Sequence, residues 1–568
     1  MVFAFLQRKR TQVSEIAPDE IFLDASNLPQ FDRHQFEGRL EKSITRRVVS
    51  LMALVSFSIL LLIAGRSFFL QVARGSEYAT RSERNRLHQT IVFGDRGVIR
   101  DRVGTLLAWN EEDPKAPEFS FRRYAPTPGL AHTLGFIKYP SKDSAGFYYK
   151  VDFEGKDGVE KYWNEYLAPL HGMRILEVNA HGAVESESVQ KPAQNGGNVT
   201  LSIDARLSEK LYEFIEKLAV ERHFEGGAGV LMDVASGEIL ALSSVPEYNA
   251  QILSDGADNA GIARVVADTR KPFLNRVTNG LYTPGSIVKP FLALAALEEG
   301  VITPEKEIVS TGSISVPNQY DPAHPSVFKD WRAHGATDMR RALAVSSDVY
   351  FYEIGGGFPG QAGLGIEKIE KYMREFGFGS APTTGNDFFG AAGVIPNPKW
   401  KSETFNKDAW RLGDTYHTAI GQYGFQVTPL QAARAIAAIA NGGKLLEPRL
   451  ILENDPPRYV LISAASSSFQ VVREGMRDAV TEGTASGLNI PQVTVAAKTG
   501  TAELGSRKQF VNSWIVGFFP FDAPRYAFAI IMERGPSENT VGGLFVMREL
   551  LEWMSVYTPE YLAPASPN

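Results

Sequence analysis

The amino-acid sequence predicts an α+β protein in three parts: a single N-terminal transmembrane helix, an elongated strand-rich spacer, and a larger domain where helical and strand patterns alternate. Three observations carry this. Residues 48–65 read VVSLMALVSFSILLLIAG, with no charge between Arg47 and Arg66. Residues 67–190 alternate short apolar runs with Gly, Pro and charge, the pattern of strands and turns. From residue 191 to 557 helical and strand periodicities follow one another.

In chain order, residues 1–47 mix Arg8, Lys9 and Arg10 with scattered Asp, Pro and Gln, and read as a flexible cytoplasmic tail. The span at 48–66 follows; a helix of its 18-residue apolar run is about 27 Å long, close to the thickness of a bilayer core. A cleaved signal peptide fits less well, because the leader would be long and no convincing A-x-A site follows. Positive charge does not orient the helix: Arg39, Lys42, Arg46 and Arg47 precede it, and Arg66, Arg74, Arg81, Arg84 and Arg86 follow. After the spacer, a turn at 194–198 (QNGGN) leads into a strand at 199–204 and a helix from near Ala205. Residues 558–568 contain Pro559, Pro564 and Pro567 and read as a flexible end.

Composition narrows the chemistry. The 568 residues carry 59 Lys plus Arg against 65 Asp plus Glu, a net charge of −6, so the positive surplus needed to hold a phosphate backbone is missing and nucleic acid is not an expected partner. There are no cysteines, which excludes disulfides, thiolate catalysis and Cys-ligated metal. Chemistry must use hydroxyl, amine, carboxylate or imidazole groups.

One tetrad meets that requirement. Ser286-Ile287-Val288-Lys289 precedes the apolar, helix-like stretch from Phe291 to Leu297, so hydroxyl and amine share a helix face, and a desolvated Lys289 could serve as general base. The pattern alone is weak, because Ser188 with Lys191 and Ser326 with Lys329 match it too. Ser188 lies in a polar stretch and Ser326 in a Pro-rich one; only Ser286 opens a helix with an apolar face to bury. Sixty residues on, Ser346-Ser347-Asp348 supplies a second hydroxyl, and Lys498-Thr499-Gly500-Thr501 supplies a second amine at the end of the apolar strand 493–497, an edge strand.

In this order the three elements resemble the S-x-x-K, S-x-N-type and K-T-G signature of penicillin-binding proteins. The chain resembles a class B penicillin-binding protein. The similarity extends to the run 96–102 with Gly104, to 155–160, to Thr428-Pro429-Leu430-Gln431, and to 513–518. Phe328-Lys329-Asp330-Trp331, 347–352, 398–401 and Gly413-Asp414-Thr415 are most similar to the elongation branch, penicillin-binding protein 2, although Asp348 stands where the wider family usually has asparagine.

The resemblance implies a pedestal over 67–190 and, over 191–557, a transpeptidase domain with an antiparallel sheet flanked by helices. It implies a serine-type D-Ala-D-Ala transpeptidase that cross-links peptidoglycan stem peptides through an acyl-enzyme and is inhibited covalently by β-lactams. Ser286 would be the nucleophile, Lys289 its base, and Ser346 the proton relay, with Asp348 and Lys498 completing the catalytic set. Thr499, Gly500 and Thr501 would bind the substrate carboxylate along the strand, and the N–H groups of Ser286 and Thr501 would form the oxyanion hole. The implied location is the cytoplasmic membrane, single-pass, with the catalytic domain on its outer side.

No cofactor is expected. Some members of the branch hold zinc with Asp, His and Cys ligands; Asp321, His324, Asp330 and His334 occupy that segment, but surface-loop residues explain them more simply. A division-type relative, a β-lactamase or a β-lactam sensor are the alternative readings. Because no glycan-polymerising domain is recognisable, the implied partners are a SEDS-family, RodA-like glycosyltransferase and other elongation-complex proteins, contacted through the helix and the spacer, with Arg96 and Asp101 contributing.

Overall fold

A computed structural model describes residues 45–114, 118–178, 184–318, 321, 323–382 and 390–563, without the side chains of 82–86. The expected tail at 1–44, the side chains of Arg84 and Arg86, and the last residues 564–568 lie outside the described residues. The chain divides into two compact units, Met1–His88 with Glu177–Ser186 and Gln89–Leu176 with Glu187–Asn568.

In the first unit the helix Arg46–Phe68 continues into a wider turn at Phe69–Ala73. The combined 28 residues, about 42 Å long, have none of their apolar window buried. Leu, Ile, Val and Phe side chains point outward all round the helix, so only a lipid or protein surface could cover them.

The second unit is organised by a five-stranded antiparallel sheet, in the order Ile239–Val245, Gly226–Asp233, Tyr526–Pro536, Phe510–Phe519 and Ala496–Leu504. Successive side chains of a strand point to opposite faces, and both faces here are covered, which explains near-continuous apolar runs. Phe528, Ile530 and Met532 pack with Leu211, Ile215 and Leu550 of the helices Ala205–Arg222 and Gly543–Tyr557. Their neighbours Ala529 and Ile531 join the opposite core, with Ile436 of Pro429–Ala440 and Leu292 of Lys289–Glu298. The helix Pro429–Ala440 starts at a reciprocal cap, in which Gln431 N–H donates to Thr428 Oγ1 (3.1 Å) and Thr428 N–H to Gln431 Oε1 (2.9 Å). All twelve of its residues are buried, and its alanines let it lie close to the sheet.

Residues 89–176 of the expected pedestal are not separate from this core. Val199–Thr200 adds in parallel to Ile99–Arg100 at the edge of a sheet continued by Leu106–Glu111 and Phe121–Tyr124, while Leu201 bridges to Ile451. Ile99, Leu107, Leu134 and Val159 belong to the same apolar cluster as Val230 and Leu292.

Two expectations need correcting. Arg96 and Asp101 cannot meet a partner, because they are 2 % and 0 % exposed. Arg96 and Arg122 both bond Glu160 (2.5 and 2.7 Å); burial alone would raise that carboxyl, but the two guanidinium charges outweigh it and hold it below its ordinary value. Asp101 instead closes a turn, accepting N–H groups of Val103 (3.1 Å) and Thr105 (2.7 Å). Nor is the end loose from residue 558: Tyr561 is buried and donates to Asp204 Oδ2 (2.8 Å), because its ring has an apolar seat beside Tyr526.

Glu247 ties pedestal to sheet by accepting N–H groups of Gly129 (2.8 Å) and Ala131 (3.0 Å). Burial, helped by Glu216, raises its carboxyl from 4.5 to about 7 against those two donors. A raised folded-state value contributes stability that is present below about pH 4.5 and lost as pH rises through about 7. Unfolding of the full chain in detergent should therefore show a loss on the order of 3 kcal/mol between pH 5 and 8 from this group. Glu247→Gln should flatten the slope, and an unchanged slope would contradict the assignment.

Candidate active site

Ser286 sits in the single tight turn Gly285–Val288, which runs directly into the helix Lys289–Glu298. In such a turn residues three apart nearly eclipse, so Ser286 and Lys289 share one side more closely than in an α-helix. Gly285 has φ +57°, and a Cβ there would lie 2.8 Å from the Thr501 carbonyl oxygen. Its N–H donates to Gly421 O (2.9 Å), so only glycine lets the turn press against the strand Ala496–Leu504. The competing pairs fall on strands: Ser188 and Lys191 on Val184–Lys191, and Ser326 and Lys329 on Ser326–Lys329. Residues three apart on a strand face opposite ways.

Ser346 ends the helix Met339–Val345 with left-handed backbone (φ 58°), and Ser347 caps the next helix, Asp348–Gly356. The reversal between the two helices aims Ser346 Oγ at two amines. Lys498 Nζ donates to it at 2.8 Å and Lys289 Nζ at 3.3 Å. Lys289 Nζ, with a fully buried side chain, also donates to Ser346 O (2.8 Å) and to Asp348 Oδ1 (2.6 Å), and lies 5.3 Å from the centre of the Phe351 ring. Among the described residues no hydrogen bond joins Lys289 to the half-buried Ser286 hydroxyl.

Lys498 also donates to Thr499 O (2.9 Å) and is fully buried. Burial first, and the charge of Lys289 second, push its ammonium well below the ordinary lysine value, against the pull of Asp348. Two amines thus share one hydroxyl, and Lys498 releases a proton more readily than an exposed lysine would.

The Lys498–Thr501 run lies within its strand, with three further strand residues beyond it, rather than at the strand's end as expected; the apolar 493–495 stretch only leads into it. The strand is the sheet's edge. A Cβ on Gly500 would meet Ile287 Cγ2 at 2.7 Å and Pro284 O at 2.9 Å, so glycine here lets the strand and the Ser286 turn touch. Thr499 Oγ1 shares a hydrogen bond of 2.8 Å with Thr484 Oγ1, a contact the sequence did not announce: Gly483-Thr484 follows the helix Ser466–Thr481 with no motif to mark it.

A zinc ion does not fit the acidic and imidazole residues nearby. Asp330 has its oxygens taken by N–H and O–H donors, and Asp321 pairs with His324 (2.9 Å) in an exposed turn. Among the described residues no group of three or more His, Cys, Asp or Glu could hold a metal ion.

Comparison with known proteins places this geometry in a family. Residues 227–547, more than half of the chain, match the penicillin binding protein transpeptidase domain, and residues 115–201 match the penicillin-binding protein dimerisation domain. The chain belongs to the class B penicillin-binding proteins. A peptidoglycan D,D-transpeptidase MrdA of Haemophilus influenzae is 28 % identical to this penicillin-binding protein, over 90 % of the chain and 92 % of its relative. Among solved structures, Helicobacter pylori penicillin-binding protein 2 in complex with MreC has a TM-score of 0.69 at 28 % identity, covering 83 % of this chain and 99 % of that one. A structure titled for the coordination of polymerization and crosslinking by a peptidoglycan synthase complex has a TM-score of 0.69 at 26 % identity, covering 89 % and 97 %. This class B penicillin-binding protein thus groups with penicillin-binding protein 2, and its N-terminal helix anchors it to a membrane.

Proposed function

We propose that this chain is the peptidoglycan D,D-transpeptidase of cell-wall elongation, anchored in the cytoplasmic membrane with its catalytic unit outside. The observation that carries the reading is Ser346 Oγ, held 2.8 Å from Lys498 Nζ and 3.3 Å from Lys289 Nζ beside the Ser286 turn. That constellation moves a proton between a nucleophilic hydroxyl and a leaving amine without imidazole or metal.

In the proposed sequence, Ser286 Oγ attacks the carbonyl of the penultimate D-Ala while Lys289, the amine that follows it in the turn, acts as base by passing its proton into the hydrogen-bonded Lys289–Ser346–Lys498 set, and Asp348 Oδ1 (2.6 Å) pairs with Lys289. The N–H groups of Ser286 and Thr501 hold the oxyanion. The C–N bond breaks, and the proton passes through Ser346 to the departing D-Ala amine. An acyl ester on Ser286 remains. The amine of a neighbouring stem attacks it, and Ser286 recovers its proton as the cross-link forms. Lys498, Thr499 and Thr501 receive the terminal carboxylate along the strand edge. A β-lactam, which presents an amide carbonyl and a carboxylate at similar spacing, would acylate the same serine.

The test is incubation of the full-length protein with a pentapeptide donor and an acceptor stem, read by mass spectrometry, alongside labelling by a fluorescent penicillin. A cross-linked product and a long-lived adduct are expected. Rapid turnover of the penicillin without cross-linking would instead identify a β-lactamase.

The same reading assigns glycan polymerisation to a RodA-like partner that packs on the outward-facing apolar side chains of Arg46–Phe68. Holding both enzymes together keeps acceptor strands near Ser286, where proximity converts an encounter into an intramolecular step. Replacing 48–65 with an unrelated apolar helix should reduce co-purification and polymerase stimulation by roughly tenfold while penicillin labelling persists. Undiminished association would remove the helix from the interface.

A further inference from the structure

Asp330 lies 16 residues before Ser346, and its side chain is fully buried. Its carboxylate gathers donors from both sides of Asp348: Oδ2 accepts from Ser347 Oγ (2.8 Å) and from Val349 N–H (3.0 Å). Ser310 Oγ reaches the same oxygen at 3.2 Å, Trp331 N–H donates to Oδ1 at 2.8 Å, and His334 Nε2 lies 3.4 Å from Oδ1. Ser347 turns its proton to Asp330 and its lone pair to Tyr350 N–H (3.3 Å), so one carboxylate and one hydroxyl together satisfy two N–H groups at the start of Asp348–Gly356. Negative charge at a helix N-terminus is favourable as well.

This matters to the site because the turn it pins is unfavourable by itself. Ser346 has left-handed backbone, which a residue with a side chain adopts only when its surroundings over-determine it. A buried carboxylate could lose its charge; here burial is outweighed by the N–H groups of Val349 and Asp348, by Ser347 and by Lys289, which hold the carboxyl below its ordinary value.

We infer that Asp330 is a positioning residue for the reaction proposed above, fixing the Ser346–Asp348 turn so that Ser346 Oγ lies between Lys289 and Lys498 and Asp348 meets Lys289. It touches no reacting atom and acts through Ser347 and the Val349 N–H. The inference rests on the transpeptidase reading and is separable from it by experiment.

The test uses the full-length protein in detergent and a fluorescent penicillin, separating the dissociation constant of the first, non-covalent complex from the acylation rate constant. Asp330→Asn preserves shape but presents an NH2 group to one set of donors. It should lower the acylation rate constant at least tenfold while the dissociation constant changes less than threefold. Ser347→Ala should lower the rate constant at least threefold, and the double variant should be no slower than Asp330→Asn, since both changes cut one path. A wild-type rate constant in either single variant, or fully multiplicative losses in the double variant, would overturn the inference. If Asp330→Asn does not fold, Ser347→Ala decides by the same threshold. Wild-type protein that fails to label at Ser286 overturns the transpeptidase reading instead; labelled wild type with equally fast Asp330→Asn overturns only this one.

Discussion

Ser286→Ala is expected to abolish covalent labelling by a fluorescent penicillin, lowering acylation by roughly 10⁴-fold or more, because an acyl-enzyme cannot form without the attacking oxygen. The substitution should leave the fold intact. Ser286 is only half-buried and no side-chain hydrogen bond among the described residues would be lost. The loss therefore reports chemistry rather than unfolding, and a thermal midpoint within about 2 °C of wild type would confirm it. No other serine should take over: Ser188 and Ser326 are exposed on strands, with their lysines three residues away on the opposite face. Peptide mapping of the labelled wild type should recover the adduct on Ser286 alone, and an adduct on Ser326 would refute the motif assignment.

The two buried lysines should separate in a second experiment. Lys289→Ala removes the proposed base and leaves Asp348 without its partner amine. The acylation rate constant should fall by about 10²–10⁴-fold with little change in the preceding dissociation constant. Lys498→Ala removes the donor nearest Ser346 Oγ and the amine beside Thr499 proposed to receive the substrate carboxylate, so the rate constant should fall and the dissociation constant should rise as well. Stopped-flow acylation over a range of drug concentrations separates the two quantities. Equal, mild losses would refute the division of labour.

Much of this site was legible in the residues. Ser286 and Ser346 were nameable because each carries chemistry at the head of a recognisable apolar element and Lys498 because it follows an apolar run; the tight turn, the helix reversal and the edge strand then bring Lys289, Ser346 and Lys498 together. The tight turn at Gly285–Val288 was not legible, since the S-x-x-K spacing serves an α-helix equally well; the Gly285 contact with the Thr501 carbonyl selects the turn. Asp330 was named only as part of a motif and of a candidate metal segment, and Thr484 not at all, because their partners, Ser347 and Thr499, lie 17 and 15 residues away and only tertiary packing brings them together. The pedestal's sharing of one core with the sheet was equally hidden: the apolar residues at 99, 107 and 134 read as a local strand pattern whatever they pack against. Arg96 and Asp101 carry the same lesson from the opposite side, as charges that looked available in sequence but are consumed by Glu160 and by a turn.

The parallel strand Val199–Thr200 also dictates where the molecule can be cut for laboratory use. A soluble fragment designed to begin at residue 191, where the large pattern starts, would keep that strand but discard its neighbour Ile99–Arg100 and the Gly129 and Ala131 backbone that Glu247 holds. It would expose Val199, Leu201 and Tyr248 to water and leave a bare strand edge that invites self-association. For crystallisation or inhibitor screening, the shorter boundary belongs before residue 96, so that the drug-binding half travels with the support on which its core is built.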